Sequence, residues 1–391
     1  VSCFEAERSG ESMRVGSTEV DALRRYALQA SPVYSLVDRR CLKPTNLTCR
    51  FRKVHRRCNT RCSSSSSSLS PGENGPAVDN TPLDLDNLRS SRGASNAFEA
   101  KDARIHPTSV KTVHPDAVLG EGVEVGPFCI IGPSVVLGAN TRLLGHNCIA
   151  GKVTIGRDCT LLQGALIGSE EDAGIVTIGN GNRFGHYCAV GVRCADLKYR
   201  EKDPGHVTIG DNNDIREYVG IHCSSSGDHV TEIGDQNLLM GSVHIGHDAK
   251  LGNQNIIANG SLLAGHVVLG NRVVVGGACG IAQRCWVGSY SMVGAGSMVV
   301  LDVPPYVRVQ GDRAKIRGLN KVQFVRSDFS SGEKAALSRL YRDIWVKKSE
   351  PIKGMSERLE EIIQTGKYDP YEHCQDLIDF ITQSANTESA M

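Results

Sequence analysis

Aromatic residues and long apolar runs are scarce in this chain of 391 residues. Phe, Trp and Tyr together make up 5% of it, and it contains no stretch long and apolar enough for a transmembrane helix, so we expect no stable membrane insertion. The formal net charge is only +1, which argues against the basic surface of a nucleic-acid binder. Glycine, by contrast, occurs 42 times, which favours tightly turning β structure with aliphatic packing.

The 14 cysteines do not form a pattern typical of a secreted disulfide scaffold or a zinc finger. Cys58 and Cys62 are a lone pair, without a second pair at zinc-finger spacing. Others, such as Cys129 and Cys279, occupy positions that Ala, Ser, Thr or Val fill elsewhere in the repeat described below, where cysteine acts as a small hydrophobic residue. We therefore expect a reducing compartment, no structural disulfides and no metal.

Acidic residues are missing from Arg39 to Pro71, a stretch that is rich in arginine and ends in the serine run Ser63–Ser68. This composition is typical of an organelle transit peptide. We expect residues 1–100 to be a disordered targeting segment, and the density of arginine favours the mitochondrion over the plastid. Two alternatives stay open: a disordered basic tail, and upstream sequence that is not translated in the cell.

Residues 103–305 carry an aliphatic residue at every sixth position. Ten such residues follow one another from Val113 to Ile167, and twelve from Ile233 to Val299, often with glycine next in sequence. An α-helix would space its apolar residues by three and four, and an ordinary strand by two. A period of six is typical of the hexapeptide-repeat parallel β-helix, in which short strands stack coil upon coil. Three segments break the register and are expected to project as loops: Ser169–Gly174, Cys194–Gly205 and Ser224–Val230.

The pattern becomes helical after Pro304. Glu333–Lys348 places apolar residues on one face, and two further amphipathic segments follow, around Leu359 and Ile378. Ser330 or Ser331 is a plausible helix N-cap. We expect a small α-helical domain over residues 306–391 that also covers the open strand edges at the end of the coil.

Four stretches beyond the generic repeat identify a family. They are DLKYR (196–200), NLLMGSVHIGHD (237–248), LLAGHV (262–267) and VPPYVRVQG (303–311). Over residues 104–385 the chain resembles the UDP-N-acetylglucosamine O-acyltransferases of the lipid A pathway. The resemblance implies a left-handed β-helix, a homotrimer with active sites between subunits, and no cofactor. It also implies transfer of an acyl group, usually (R)-3-hydroxyacyl, from acyl carrier protein to the glucosamine 3-hydroxyl of UDP-N-acetylglucosamine.

His247 is the predicted general base, because it matches the family's catalytic histidine and because acyl transfer to an alcohol needs a proton acceptor. Three hexapeptides make one coil of eighteen residues, so Gly265 is expected one coil above His247, with its backbone N–H near the reacting carbonyl. By the same arithmetic Asp248 stacks against His266 and is expected to orient the histidines.

The resemblance implies further roles for residues around this centre. His244 and His266 are expected to contact substrate, and Ala295, where relatives often have glycine, to shorten the acyl groove to a medium chain length. The sugar nucleotide is expected to contact Asp196, Lys198, Gln283, Asn320 and Arg326. Three departures from the family pattern put nucleotide contacts in doubt: Ala282, Arg313 and Val322.

Four other functions remain possible on this repeat. A γ-type carbonic anhydrase would need three zinc-binding histidines; His186 and His222 are two coils apart, but Gly227 stands where the third is required. The N-acyltransferase of the same pathway carries a folded uridine-binding domain before the coil. A non-catalytic structural trimer has no need of His247 and Gly265 together. A small-acceptor acetyltransferase that uses coenzyme A is the fourth.

Overall fold

The computed structural model describes residues 102–169, 174–196, 204–346 and 354–385. The predicted targeting segment and Lys198 therefore lie outside the described residues. Three parallel sheets, named A, B and C, form the sides of a prism, and the chain visits them in turn.

Sheet A contains twelve strands: β1 (Arg104–Ile105), β3 (Glu124–Val125), β6 (Arg142–Leu143), β9 (Thr160–Leu161), β12 (Arg183–Phe184), β15 (Asp214–Ile215), β18 (Leu238–Leu239), β21 (Ile256–Ile257), β24 (Val274–Val275), β27 (Met292–Val293), β29 (Val307–Gln310) and β30 (Lys315–Leu319). Sheet B contains nine: β4 (Ile130–Ile131), β7 (Cys148–Ile149), β10 (Leu166–Ile167), β13 (Ala189–Val192), β16 (Gly220–His222), β19 (His244–Ile245), β22 (Leu262–Leu263), β25 (Gly280–Ile281) and β28 (Met298–Val299). Sheet C also contains nine: β2 (Val118–Leu119), β5 (Val135–Leu137), β8 (Lys152–Ile155), β11 (Ile175–Ile178), β14 (His206–Ile209), β17 (Val230–Ile233), β20 (Lys250–Leu251), β23 (Val268–Leu269) and β26 (Trp286–Val287).

Aliphatic side chains at every sixth position fill the interior of the prism. Every member of both six-step series, Val113 to Ile167 and Ile233 to Val299, is buried. The regular register pairs residues eighteen apart, as in His244 with Leu262. Burial of each Ile, Leu or Val contributes roughly 1.5–3 kcal/mol, so the stacked core is the main source of stability. The predicted left-handed β-helix of six-residue repeats, followed by helices, is confirmed.

The three predicted insertions all fall at one corner, where a strand of sheet B is followed by a strand of sheet C; residues 170–173 and 197–203 of the first two lie outside the described residues. They separate β10 from β11, β13 from β14, and β16 from β17. The sequence separation between paired residues of neighbouring coils increases there. It is twenty-three for Lys152 and Ile175, and thirty-one for Ile175 and His206, instead of the regular eighteen. It is still twenty-four between His206 and Val230, and the regular coil resumes afterwards. One edge of an otherwise uniform prism thus carries every insertion within the described residues.

Buried asparagines line the corner that connects sheet C to sheet A. The side-chain oxygen of Asn213 accepts from the backbone N–H of Asn237 at 2.8 Å, and Asn237 accepts from Asn255 at 2.8 Å. In the same way, Asn182 accepts from the N–H of Asn213, and Asn255 accepts from the N–H of Val273. Each asparagine thus satisfies a turn N–H of the neighbouring coil. Because an unpaired buried N–H is costly, these side chains fix the spacing of the turns.

Helices follow the last two strands. Val307–Gln310 and Lys315–Leu319 pair in antiparallel fashion at the end of sheet A, and the first helix begins after them at Lys321. The helices are α1 (Lys321–Arg326), α2 (Ser331–Tyr341) with a π-helical extension (Arg342–Val346), α3 (Met355–Thr365) and α4 (Glu372–Ala385).

The helical region packs on the final coils. Ser330 caps α2 in a capping box with Glu333, as the sequence predicted. Phe380 of α4 lies against Trp286 of β26, with ring centroids 4.1 Å apart, so α4 packs on the outer face of the last strand of sheet C. None of the helices within the described ranges is long and apolar enough to cross a membrane.

Replacing Asn237, which is 1% exposed, tests the asparagine series. We expect Asn237→Ala to lower the free energy of unfolding by about 1–3 kcal/mol, because the N–H of Asn255 loses its acceptor. Urea denaturation followed by circular dichroism measures this. The exposed strand residue Lys152, changed to Ala, is the control, and equal midpoints for the two variants would contradict the prediction.

Candidate active site

Two consecutive turns at the corner between sheets B and C bring the predicted catalytic residues together. The turn after β19 carries His247 and Asp248, and the turn after β22 carries Gly265 and His266. The register of β19 with β22 places each residue beside its partner eighteen positions later. Asp248 and His266 both have φ of 60°, the left-handed conformation of this corner position, so their side chains leave the two turns in the same way.

Asp248 holds one side of the His247 ring. His247 Nδ1 lies 2.7 Å from Asp248 Oδ2, and both residues are buried. The carboxylate is itself fixed, since Asp248 Oδ1 accepts from the backbone N–H of Ser225 at 3.1 Å, while the N–H of Asp248 donates to Thr231 Oγ1 at 2.8 Å. An ionised carboxylate only accepts hydrogen bonds, so in the neutral form of the ring the hydrogen is on Nδ1 and the lone pair is on Nε2.

The other side of the His247 ring faces Gly265. A Cβ atom placed on Gly265 would lie 2.5 Å from both Cε1 and Nε2 of His247, so no side chain larger than hydrogen fits without moving the imidazole. Within the described residues the N–H of Gly265 donates no hydrogen bond. The corner therefore presents a basic nitrogen beside an unused backbone donor, which is the pair of groups that acyl transfer to an alcohol requires.

His266 makes a second contact with the same carboxylate. Its Nε2 lies 3.4 Å from Asp248 Oδ2, and its ring meets that of His247 edge-on at 5.2 Å. Burial by itself would raise the pKa of Asp248. Hydrogen bonds from His247 and Ser225, together with the nearby His266, outweigh burial and bring that pKa below its usual value. Asp248 is therefore ionised at neutral pH and holds the histidines in place.

A second histidine pair lies on β16 and β19 of sheet B, just before this corner. The rings of His222 and His244 meet edge-on with centroids 4.8 Å apart, and His222 Nδ1 lies 2.8 Å from the carbonyl oxygen of Arg193. Burial lowers the pKa of His222, His244 and His266, and the proximity of other histidines adds to this for each of them. All three imidazoles are therefore neutral at pH 7.

Ser225 and His229 also belong to the site, although neither was predicted from the sequence. Both lie in the third insertion and reach Asp248, with His229 Nδ1 at 3.4 Å from Oδ1. Asp248, His229 and His266 also line a cavity of about 410 Å³ that opens onto sheet C. Only the break in register at Ser224–Val230 signalled this part of the site, because eighteen-residue arithmetic does not hold across an insertion.

The remaining predicted residues are distributed around this corner and beyond it. Asp196 belongs to the second insertion, where its N–H donates to Cys194 Sγ at 3.4 Å. Gln283 is exposed and stands at the same turn position as His247 and Gly265, one coil beyond Gly265. Lys198 lies outside the described residues.

Asn320 and Arg326 are at the two ends of α1. Asn320 is buried; its side-chain oxygen caps α1 and its amide donates to the carbonyl of Tyr290 at 2.8 Å. These contacts give it a structural role whatever else it binds. Arg326 is exposed in the last turn, where its guanidinium is accessible. Ala295 is exposed at the opposite edge of sheet B from His247, in the turn between β27 and β28.

Within the described residues of one chain, His186 and His222 do not stack on one edge of the coil, as the spacing of a γ-type carbonic anhydrase would require. His186 precedes β13 at one edge of sheet B, whereas His222 ends β16 at the other edge, and Gly227 offers no imidazole. A different group could hold a metal ion: His247, Asp248 and His266 offer ligand atoms that all lie within 4.8 Å of one another.

The lowered histidine pKa values predict loss of stability in mild acid. Between the folded pKa of such a histidine and its ordinary value near 6.5, the unfolded chain binds more protons, so stability falls as the pH falls below about 6.5. We expect the thermal midpoint to fall from pH 7.5 to pH 5.5, and to fall less in His222→Gln. Differential scanning fluorimetry at both pH values measures the change in thermal midpoint with pH (the slope) for the wild type and for His222→Gln.

His186, which is exposed, serves as the control when changed to Gln. That variant should keep the wild-type slope. An unaltered slope in His222→Gln would show that burial of this imidazole does not govern the acid sensitivity.

Known proteins similar to this chain belong to one family. Residues 302–388 match the family model described as UDP-N-acetylglucosamine O-acyltransferase, domain 2. The acyl-[acyl-carrier-protein]–UDP-N-acetylglucosamine O-acyltransferase of Thermodesulfovibrio yellowstonii is 38% identical over 239 residues, which cover 61% of this chain and 83% of the relative.

Solved structures give the same result. The UDP-N-acetylglucosamine acyltransferase of Arabidopsis is 42% identical and superposes with a TM-score of 0.70, covering 73% of this chain and 98% of its own. LpxA from Acinetobacter baumannii is 32% identical with a TM-score of 0.55, covering 74% and 97%. With a curated relative this similar over most of its length, the chain belongs to the acyl-[acyl-carrier-protein]–UDP-N-acetylglucosamine O-acyltransferase family.

Proposed function

We propose that this protein transfers a 3-hydroxyacyl group from acyl carrier protein to the 3-hydroxyl of UDP-N-acetylglucosamine, the first step of lipid A biosynthesis. The observation that carries the proposal is the His247 imidazole, held by Asp248 at 2.7 Å on one side and facing Gly265 of the next coil on the other. Membership of the family supplies the two substrates.

His247 is the general base of the proposed reaction. Its Nε2 takes the proton of the sugar 3-hydroxyl as the oxygen attacks the thioester carbonyl carbon. The negative charge that develops on the carbonyl oxygen is stabilised by the Gly265 N–H. When the tetrahedral intermediate collapses, the carbon–sulfur bond breaks and the imidazolium returns the proton to the carrier thiolate. Asp248 stays ionised and offsets the charge on the ring.

Substrate binding is assigned to the groups around this centre. His244 and His266 contact the amino sugar, and Asp196, Lys198, Gln283 and Arg326 contact the nucleotide, where the planar donors of arginine suit a diphosphate. For Asn320 the proposal is an indirect role, because its side chain is used in capping α1. Ala295 shortens the acyl groove, so a medium chain length is preferred.

A direct assay tests the reaction. Full-length protein is incubated with UDP-N-acetylglucosamine and 3-hydroxyacyl carrier proteins of graded chain length, and the O-acylated product is measured by mass spectrometry. We expect product from the wild type, with an optimum at medium length. We expect a loss of several orders of magnitude in His247→Ala, since the base is removed. We expect a loss of roughly 100-fold or more in Gly265→Ala, because the added methyl displaces the imidazole.

Gly277 provides the matched control. Added at Gly277, a Cβ meets only Asn259 O at an ordinary 3.4 Å, and this glycine stands at the same position of its turn as Gly265. Gly277→Ala should keep turnover. Wild-type rates in Gly265→Ala, or no product from the wild type at any chain length, would overturn the proposal.

The outer face of sheet B supports assembly into the proposed homotrimer. Its outward residues include Ile130, Leu262 and Met298, which are 49%, 55% and 45% exposed in the single chain. Outward positions of sheet A are charged in the first coils, as at Glu124 and Arg142, and in later coils they are apolar but less exposed, as at Ile256. An exposed apolar face of this length on one side of a prism is typical of a subunit interface. His247 at its edge would then face the neighbouring subunit.

Introducing charge on this face tests the assembly. We expect the wild type to elute as three chains in size-exclusion chromatography with light scattering, and Leu262→Glu to shift towards one chain, because a carboxylate buried without a partner is unfavourable. Lys152→Glu, on the exposed face of sheet C, is the control and should remain trimeric. A trimer that tolerates Leu262→Glu would place the interface elsewhere.

Residues 1–100 are proposed to direct import into the mitochondrion, on the basis of their acid-poor, arginine- and serine-rich composition. We expect a fusion of these residues to a fluorescent protein to accumulate in mitochondria of plant cells. A fusion in which the arginines from Arg39 to Arg61 are changed to Gln should remain in the cytosol. Accumulation in plastids would support the alternative organelle.

A further inference from the structure

Three ligand groups converge at the catalytic corner in a way that the proposed reaction does not require. His247 Nδ1 and His266 Nε2 lie 2.7 and 3.4 Å from the same oxygen of Asp248, and all three ligand atoms lie within 4.8 Å of one another. His247 and Asp248 are buried and His266 is partly buried, so the group is shielded from bulk water. A catalytic base needs the contact between His247 and Asp248, but it does not need the contact between His266 and Asp248.

The spacing suits a tetrahedral metal ion. Zinc binds imidazole nitrogen at about 2.0–2.1 Å and carboxylate oxygen at about 2.0–2.2 Å, which places neighbouring ligand atoms roughly 3.3 Å apart. The contact between His266 and Asp248 already has this separation, and that between His247 and Asp248 needs to open by roughly 0.6 Å. The two ring nitrogens lie within 4.8 Å of each other and would close on the ion by small rotations of the two rings. The adjoining cavity of about 410 Å³, lined by Asp248 and His266, gives an ion access from solvent and leaves room for a water as fourth ligand.

We propose that His247 Nδ1, Asp248 Oδ2 and His266 Nε2 form a binding site for Zn²⁺, and that the bound ion inhibits the enzyme. Two imidazoles, one carboxylate and an open fourth position are an established ligand set for zinc. The ion is not a cofactor here, since the proposed chemistry runs without it.

Inhibition follows from the ring nitrogen that the ion occupies. A metal on Nδ1 replaces the hydrogen that this atom donates to Asp248. The neutral ring then carries its hydrogen on Nε2, the nitrogen that faces Gly265, and can no longer accept a proton from the sugar hydroxyl. This second part rests on the proposed function, whereas binding of the ion does not.

Equilibrium binding tests the site without reference to turnover. Metal-free, reduced full-length protein with its accessible thiols alkylated is titrated with Zn²⁺ against a chromophoric chelator. We expect one tight site in the wild type and binding weaker by more than about tenfold in His266→Gln, since even the loss of partners outside the ligand shell costs about tenfold or more. Gln occupies equivalent left-handed corner positions at 236 and 254, so the variant is expected to fold.

The neighbouring histidine pair supplies the control. His222→Gln should keep the tight site, because the ring of His222 pairs with that of His244 and not with the carboxylate of Asp248. Equal zinc affinity in wild type and His266→Gln, or the same loss in His222→Gln, would overturn the assignment.

The effect on catalysis is then measured in the acyl-transfer assay. Wild-type turnover should fall as the tight site fills and return when a chelator is added. On whatever turnover His266→Gln retains, the inhibition constant for Zn²⁺ should rise by more than about tenfold, in parallel with the binding loss. Tight binding without inhibition would overturn the inhibitory role, while absence of turnover at every zinc concentration would overturn the proposed function and leave the metal site standing.

Discussion

Backbone hydrogen bonds between consecutive coils are the constraint on which the site depends. They repeat every eighteen residues where the coil is regular, as in the pairing of β19 with β22. A rung that moved by one residue would put an interior aliphatic on the surface and carry His247 away from Gly265. The aliphatic core and the buried asparagines of the opposite corner therefore hold the catalytic geometry, although neither touches a substrate.

The corner between sheets B and C carries insertions, which the regular part of the coil lacks. All three insertions fall there, and the third places Ser225 and His229 beside the carboxylate of Asp248. A regular coil offers each turn residue one neighbour above and one below. An insertion adds contacts from the side. The hydrogen bond from His247, together with those from Ser225 of the insertion, lowers the pKa of Asp248 and outweighs the cost of burial, so this carboxylate remains ionised.

The fixed contact between His247 and Asp248 suits both proton transfer and the proposed binding of a metal ion. A neutral imidazole oriented by a carboxylate is a good base, and a neutral imidazole beside a carboxylate is also a good metal ligand. Which nitrogen of His247 is free decides between them. With the hydrogen on Nδ1, Nε2 faces the reacting groups; with a metal on Nδ1, that nitrogen is blocked.

The sequence by itself determined the coil and the centre of the site. A period of six cannot be produced by a helix or an ordinary strand, so the fold, the stacking of His247 under Gly265 and that of Asp248 under His266 followed from counting. Tertiary structure alone decided the rest, because insertions and the C-terminal helices have no fixed period. His229 approaches Asp248 from a loop of irregular length, and Asn320 caps a helix of six residues that the apolar pattern did not predict. Contacts between residues of the regular coil can be predicted from residue numbers, because the repeat is constant. Contacts made by residues of the insertions and helices depend on how each of these segments packs.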